Sequence, residues 1–269
     1  MKIIHSLWAF PQSYNRWNVK KQYEKSLHLY KLSFLYAKKL GYEIVLHTDD
    51  LGYELLKSID YDRIELSLND LDKKNFNFWS LGKIKSLEIE GVNSIHIDGD
   101  VFLKSENIKN IFNEDFSVLT QMIEPEKLFN DNYLPQLNFI NSISDLLKSD
   151  IRYSYNCGVL CFKDWELFET YKNYINEIID FYHRNTILER FYKNSSNFYE
   201  RMLITEQYSL PIVVRKMKKK AKFIINDHKN INAECEHYGF AHAFGRIKYS
   251  DSFQAHIIKK INELEKEIF

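Results

Sequence analysis

The chain has 269 residues, of which 45% are hydrophobic, and its Lys+Arg and Asp+Glu counts are both 37, so its formal charge is zero. This length and composition suffice for one large domain with a sizeable core. The balanced charge argues against a protein that coats nucleic acid, because that task needs a basic field.

The first hundred residues alternate between short apolar runs and helical patterns. Strands are predicted at residues 2–8, 43–47, 63–66 and 94–103. Helices are predicted at residues 20–40, 51–58 and 78–89, with Gly41 and Gly91 as stop signals. This alternation predicts an α/β fold with a mostly parallel central sheet and flanking helices.

The pattern is less regular beyond residue 104. Strands are predicted at residues 116–122 and 155–162, and a helix at 165–182. Apolar residues three or four apart predict an amphipathic helix over residues 251–269. Neither a repeat nor a linker interrupts the sequence, so a single domain over residues 1–269 is predicted.

The cysteines and the N-terminus bear on the compartment. Cys157, Cys161 and Cys235 are odd in number and form no metal-type pair, which favours a reducing compartment. Cys157 and Cys161 lie four apart on a predicted strand and are expected to share one face. The first residues, MKIIHSLWAFPQ, are too short and too polar for a signal peptide or a spanning helix, so a cytoplasmic protein is expected.

One basic run breaks the charge balance. The sequence KMKKKAK extends from Lys216 to Lys222. It is either a solvated surface run or a docking patch for an acceptor or an anionic membrane. The second interpretation would place the protein at the inner face of the membrane.

Two acids lie in an apolar segment. Asp98 and Asp100 fall within SIHIDGDVFL, whereas the similar triplets at 60–62 and 70–72 have polar surroundings typical of surface loops. A strand end at the carboxyl edge of an α/β sheet is where ligands bind. Close carboxylates repel each other, and a divalent cation relieves the repulsion and can bridge to phosphate. Gly99 is expected to let a ligand approach the backbone. The alternative is a strand-end turn with hydrated acids.

A second motif, HAFGRIK, begins at His242 and ends at Lys248. An imidazole can complete a carboxylate site for manganese. Gly245 permits close backbone approach, and Lys248 can meet a diphosphate as a point charge. A structural histidine is the alternative for His242.

The ends of the first two predicted strands carry candidates for a nucleotide's base and ribose. Trp8 and Ala9 follow the first strand, and Thr48 and Asp49 follow the second. The same residues could instead cap helices.

In order along the chain, these motifs resemble the retaining, metal-dependent glycosyltransferases of the GT-A type, nearest to glycosyltransferase family 8, and related D-x-D sugar transferases. The DGD at 98–100 matches the family's D-x-D, and the HAFGRIK at 242–248 matches its H-x-x-G-x-x-K. Tyr249-Ser250 replaces the family's usual Pro-Trp.

Three further segments share the resemblance. YNCGV at 155–159, with Asn156, is similar to the family's Phe-Asn-x-Gly-Val strand. Glu206-Gln207 is similar to its Asp-Gln pair, and Lys83 occupies the place of a lysine that reaches the donor. Taken alone, Asn156 could be a strand-end cap and Glu206 a surface residue.

The resemblance implies a GT-A (Rossmann-like) domain that transfers a hexose from a nucleotide diphosphate sugar, with UDP-sugars expected, to a glycan, lipid-linked or protein hydroxyl. It implies retention and Mn²⁺ (or Mg²⁺). Residues up to about 104 would form the nucleotide-binding half, and about 105–250 the acceptor-binding half. The expected residues are Asp98, Asp100 and His242 for the metal; Trp8, Ala9, Thr48, Asp49, Lys83, Asp98, Gly99, Gly245 and Lys248 for the donor; and Asn156, Glu206 and Gln207 for catalysis.

Two other functions remain open from the sequence. The chain could be a non-catalytic nucleotide- or glycan-binding protein of the same fold, or a nucleotide-sugar phosphohydrolase in which water replaces the acceptor. The sequence has no G-x-G-x-x-G and no P-loop, which argues against a dinucleotide oxidoreductase or an ordinary kinase.

Overall fold

A computed structural model describes residues 2–12, 19–194, 201–226 and 228–268. Strands β1 to β9 span Lys2–Leu7, Glu43–Thr48, Arg63–Glu65, Ser94–Ile97, Val101–Leu103, Val118–Ile123, Tyr155–Phe162, Ala221–Ile225 and Phe240–His242. Helices α1 to α12 span Ala9–Gln12, Gln22–Lys39, Asp50–Leu56, Leu81–Glu90, Ile108–Asn113, Glu126–Leu128, Leu134–Asn141, Trp165–Arg184, Thr186–Asn194, Ser209–Lys216, Ile231–Tyr238 and Asp251–Ile268. Phe129–Tyr133 and Leu203–Tyr208 are π-helical, and 3₁₀ turns cover Ser67–Asp70, Lys73–Asn75, His228–Asn230 and Gly245–Tyr249.

Seven strands form the central sheet in the order β3-β2-β1-β4-β7-β6-β8. The neighbours β3, β2, β1 and β4 are parallel, as are β6 and β8, whereas β7 is antiparallel to both β4 and β6. The predicted α/β fold with a mostly parallel sheet is therefore confirmed. Both halves of the sequence contribute strands to this one sheet.

Helices cover both faces of the sheet. Successive residues of a strand point to opposite faces, and in β1 the buried Ile3 packs with Leu35 of α2 and Ile257 of α12. Ile4 packs with the other cluster, which includes Phe168 of α8. Strands covered on both faces are mostly apolar, which explains the short apolar runs in the sequence.

The segment 94–103, predicted as one strand, is two. After β4 the chain turns, with the Val101 amide donating to the Asp98 carbonyl at 2.9 Å. The following β5 leaves the central sheet and pairs antiparallel with β9, with Val101 opposite His242. The turn therefore brings a segment some 140 residues later beside the two acids.

The prediction that Cys157 and Cys161 share a face is wrong. Cys157 packs with the α8 side of the sheet and Cys161 with the α2 side. The cause is a register shift in the β6–β7 ladder, where Thr120 pairs with Leu160 but Met122 pairs with Asn156. A bulge of this kind changes the alternation of side chains along the strand.

The basic run from Lys216 to Lys222 lies on the surface beside acids of neighbouring elements. Lys219 pairs with Asp164 at 2.7 Å, Lys222 with Glu114 at 2.7 Å, and Lys220 with Asp115 at 3.6 Å. These pairs offset much of the run's charge, which favours the surface interpretation over the membrane patch. Across the described ranges, no helix combines the length and the hydropathy needed to cross a membrane.

Candidate metal centre

Three chain segments meet at the carboxyl end of β4. Asp98 follows β4, Asp100 precedes β5, and His242 ends β9, which β5 pairs with directly. One ligand atom from each of Asp98, Asp100 and His242 lies within 4.8 Å of the others. The structure thus brings together the three residues that the sequence predicts as metal ligands.

Asp100 is a buried carboxylate with two basic neighbours. Its side chain is 11% exposed; one oxygen pairs with the Lys248 ammonium, and the other lies 3.4 Å from His242 Nε2. Burial alone would raise the pKa of Asp100, but Lys248 and His242 outweigh it and hold that pKa well below its usual range. Asp100 therefore remains an anion and a competent cation ligand at neutral pH.

The donor set suits a hard or borderline divalent cation. Carboxylates favour Mg²⁺ and Mn²⁺, and one imidazole shifts the preference toward Mn²⁺. Asp98 has a more exposed side chain than Asp100, at 26%, so the three groups open toward solvent on the Asp98 side. The residues present therefore fit the cation that the resemblance implies.

Lys83 is buried between Asp98 and Glu206 and does not line an open pocket. Its side chain is 3% exposed, and its ammonium contacts Asp98 at 3.0 Å, Glu206 at 2.7 Å and the Cys157 carbonyl at 2.6 Å. Burial lowers the pKa of Lys83, but Asp98 and Glu206 more than offset this and raise it. In the structure Lys83 therefore supports Asp98, and its direct contact with a nucleotide-sugar donor stays a prediction.

Glu206 also differs from the expectation. It lies in the π-helical turn Leu203–Tyr208, is fully buried, and pairs with Lys83. A carboxylate in this position contacts the candidate site through Lys83, and its catalytic role stays a prediction. Its neighbour Gln207 is half-buried and accepts a hydrogen bond from the Tyr133 hydroxyl.

The residues at the ends of β1 and β2 have structural roles. Asp49 caps α3 by accepting from the Gly52 amide at 2.8 Å, and its carboxylate also accepts from the amides of Ala9 and Phe10. The Thr48 hydroxyl donates to the Leu7 carbonyl at 2.8 Å. Trp8 is 4% exposed, and Ala9 is fully buried. Helix capping and packing account for these four residues in the structure, and the expected base and ribose contacts stay predictions.

The two glycines of the motifs differ in their surroundings. A Cβ on Gly99 would lie 2.5 Å from the Tyr30 ring, so this glycine accommodates Tyr30 and not an open approach for a ligand. Gly245 is exposed, with φ +63° and no atom within 4 Å of a Cβ. Its left-handed backbone explains the glycine, and its surface stays accessible.

The chain was also compared with known proteins. A model for a family of unknown function, DUF6734, matches residues 1–268. The chain belongs to DUF6734. A search of the curated proteins returned no match.

Glu124 is a buried residue of the DUF6734 chain that the sequence did not single out, and it pairs with the predicted Asn156. Asn156, at the start of β7, donates to Glu124 Oε1 at 2.7 Å and accepts from the Gly158 amide at 3.0 Å. Glu124 is 5% exposed, and burial raises its pKa, although Asn156 and His242 act in the opposite direction. An acid directly after the apolar run of β6 was the available signal, the same one that marks Asp98 after β4.

A second missed pair in the DUF6734 chain concerns the imidazole. His242 Nδ1 lies 2.7 Å from Oε1 of the fully buried Gln121, and a Cβ on Gly158 would lie 2.6 Å from both side chains. No local signal marks Gln121, since an isolated Gln within an apolar strand has no motif. The Asn-x-Gly pattern pointed to Gly158 without giving its role.

Proposed function

We propose that this protein is a metal-dependent glycosyltransferase with a GT-A type of fold. It transfers a hexose from a nucleotide diphosphate sugar, with UDP-sugars as the first candidates, to a hydroxyl acceptor. The observation that carries the proposal is the convergence of Asp98, Asp100 and His242 at the carboxyl edge of a mostly parallel sheet. Ligands of open α/β folds bind at this edge.

Asp98, Asp100 and His242 would hold Mn²⁺ (or Mg²⁺), which would neutralise charge on the donor's two phosphates. Lys83 would orient Asp98 through their ion pair. Burial disfavours the charged form of Lys248, but Asp100 outweighs burial and raises the Lys248 pKa, so its ammonium persists at neutral pH. That ammonium is the fixed positive charge best placed to meet a departing diphosphate.

The bond between the anomeric carbon and the diphosphate oxygen would break as a bond to the acceptor oxygen forms, and the acceptor's proton would pass to the diphosphate. With retention, which the resemblance implies, the acceptor attacks from the face that the diphosphate leaves. The half-buried Gln207 supplies an amide group for the sugar hydroxyls, whereas the amide of Asn156 is engaged by Glu124 and by the Gly158 backbone. Glu206 supports the site through Lys83. The proposed location is the cytoplasm.

The test is transfer from radiolabelled UDP-sugars to a panel of hydroxyl acceptors in Mn²⁺, with EDTA as the metal-free arm. Asp100→Ala is expected to lower the rate at least about 100-fold, because it removes a ligand that acts on developing charge. Asp70→Ala is the matched control, since Asp70 begins another D-x-D triplet and is exposed in a 3₁₀ turn.

Each alternative function gives a distinct result. Release of free sugar or of sugar 1-phosphate at the same rate with or without acceptor would indicate a hydrolase of nucleotide sugars, in which water replaces the acceptor. Tight UDP binding without turnover would indicate the binding protein. Transfer that is indifferent both to EDTA and to Asp100→Ala would contradict the metal role.

A further inference from the structure

The ring of His242 lies between two oxygen atoms. Its Nδ1 is 2.7 Å from Oε1 of Gln121, and its Nε2 is 3.4 Å from Oδ1 of Asp100. Gln121 belongs to β6 and is fully buried, so its side chain cannot turn away to solvent.

The contact with Gln121 determines which ring nitrogen carries the proton. An amide oxygen only accepts hydrogen bonds, so His242 Nδ1 must be the donor. A neutral imidazole then has its lone pair on Nε2, at the edge that faces Asp100. A cation is bound through that lone pair, and the opposite tautomer would place a hydrogen there instead.

Two backbone features direct the Gln121 side chain toward His242. The β6–β7 register shifts between Thr120 and Met122, so Gln121 occupies the irregular position of the ladder. A bulge redirects a side chain out of the regular alternation. Across the ladder, Gly158 leaves the space that the Gln121 amide and the His242 ring fill, since any Cβ there would lie 2.6 Å from both.

We propose that Gln121 is a positioning residue that fixes His242 in the Nδ1–H tautomer, with Nε2 presented to a divalent cation held with Asp98 and Asp100. This inference rests on the metal site of the proposed function. It does not depend on the identity of the sugar or the acceptor.

The first test needs no metal. Two-bond ¹⁵N–¹H correlation spectra of the uniformly ¹⁵N-labelled protein, at a pH where histidine is neutral, report the tautomer of each of the nine histidines. The His242→Gln variant identifies the signals of His242. The expected result is Nδ1–H in the wild type and a shift toward Nε2–H, the form preferred in water, in Gln121→Leu. A wild-type His242 in the Nε2–H form would overturn the inference even if the Leu variant failed to fold.

The second test is Mn²⁺ affinity by calorimetry. Gln121→Leu is expected to weaken binding about 10- to 100-fold, the usual effect of losing a group that orients a ligating histidine. Gln121→Glu keeps an acceptor and should keep both the tautomer and the binding. Thr120→Val, at a fully buried neighbour on β6, is the control for repacking. Equal Mn²⁺ affinity in wild type and Gln121→Leu would overturn this inference alone, whereas a wild type that binds no Mn²⁺ would overturn the metal site of the proposed function.

Discussion

At the scale of single residues, each acid of the candidate metal centre has its own lysine. Lys83 contacts Asp98 at 3.0 Å, and Lys248 contacts Asp100. Two carboxylates one residue apart would otherwise repel each other in a poorly solvated position. The paired lysines explain how a D-x-D triplet can lie between two buried strands.

Gly158 lies across the β6–β7 ladder from Gln121 and has no room for a side chain. Gly158→Ala should cost about 1–3 kcal/mol of stability, because its Cβ overpacks a filled position. It should also weaken Mn²⁺ binding at least about tenfold, since the atoms it displaces belong to Gln121 and His242. Denaturant unfolding and calorimetry measure the two effects.

Gly41→Ala is the control for stability loss alone. Gly41 has φ +75° and no atom within 4 Å of a Cβ, so Ala there strains the backbone by about 1–2 kcal/mol without touching the metal centre. Equal Mn²⁺ affinities in the two variants would contradict the role given to Gly158.

At the scale of elements, α4 connects the candidate metal centre to the parallel half of the sheet. Lys83 near its start supports Asp98, and Glu90 at its end contacts three strands. The Glu90 carboxylate pairs with Lys2 of β1 at 2.6 Å, His47 of β2 at 2.9 Å and Arg63 of β3 at 2.5 Å. The contacts of Glu90 therefore fix the C-terminal end of α4, the helix whose Lys83 contacts Asp98.

The Glu90 contacts predict a pH dependence of stability. Burial raises the pKa of Glu90, but Lys2, Arg63 and His47 outweigh it and lower that pKa from 4.5 to about 2. A lowered carboxyl pKa stabilises the fold above the unfolded value, so this contribution is present above about pH 4.5 and is lost as the pH falls toward about 2. Its size is on the order of 2–3 kcal/mol.

Glu90→Gln should therefore remove about 2–3 kcal/mol at neutral pH and flatten the unfolding free energy between about pH 4.5 and 2. Glu54→Gln is the control, because Glu54 forms an exposed pair with Lys57 and should change stability by less than about 1 kcal/mol. Denaturant titrations at several pH values measure both. Parallel pH profiles for wild type and Glu90→Gln would contradict this account.

At the scale of the whole molecule, local pattern predicted the first half of the fold far better than the second. Up to residue 104 most strands and helices have their own periodicity or stop signal, as at Gly41 and Gly91, although β5 was not separated from β4 and α1 was not predicted. β8 and β9 were missed because strands of five and three residues carry too little periodicity. The pairing of β5 with β9 is a long-range contact that no local pattern encodes.

The site shows the same division between local and long-range information. Asp98, Asp100 and His242 were predictable because their types and spacing point to cation chemistry. The burial of Glu206 and the contact of Gln121 with His242 depend on segments far apart in sequence. Thr48 and Asp49 were ambiguous from sequence, because a residue at the end of a strand can equally cap the next helix.

Asp98, Asp100 and His242 are proposed to hold one divalent cation. The most direct measurement is anomalous diffraction from crystals grown with Mn²⁺, compared between wild type and Asp100→Ala. One strong anomalous peak bounded by these three side chains is expected in the wild type, and it should be lost in the variant. A wild-type crystal with Mn²⁺ bound elsewhere, and no peak between these side chains, would contradict the account.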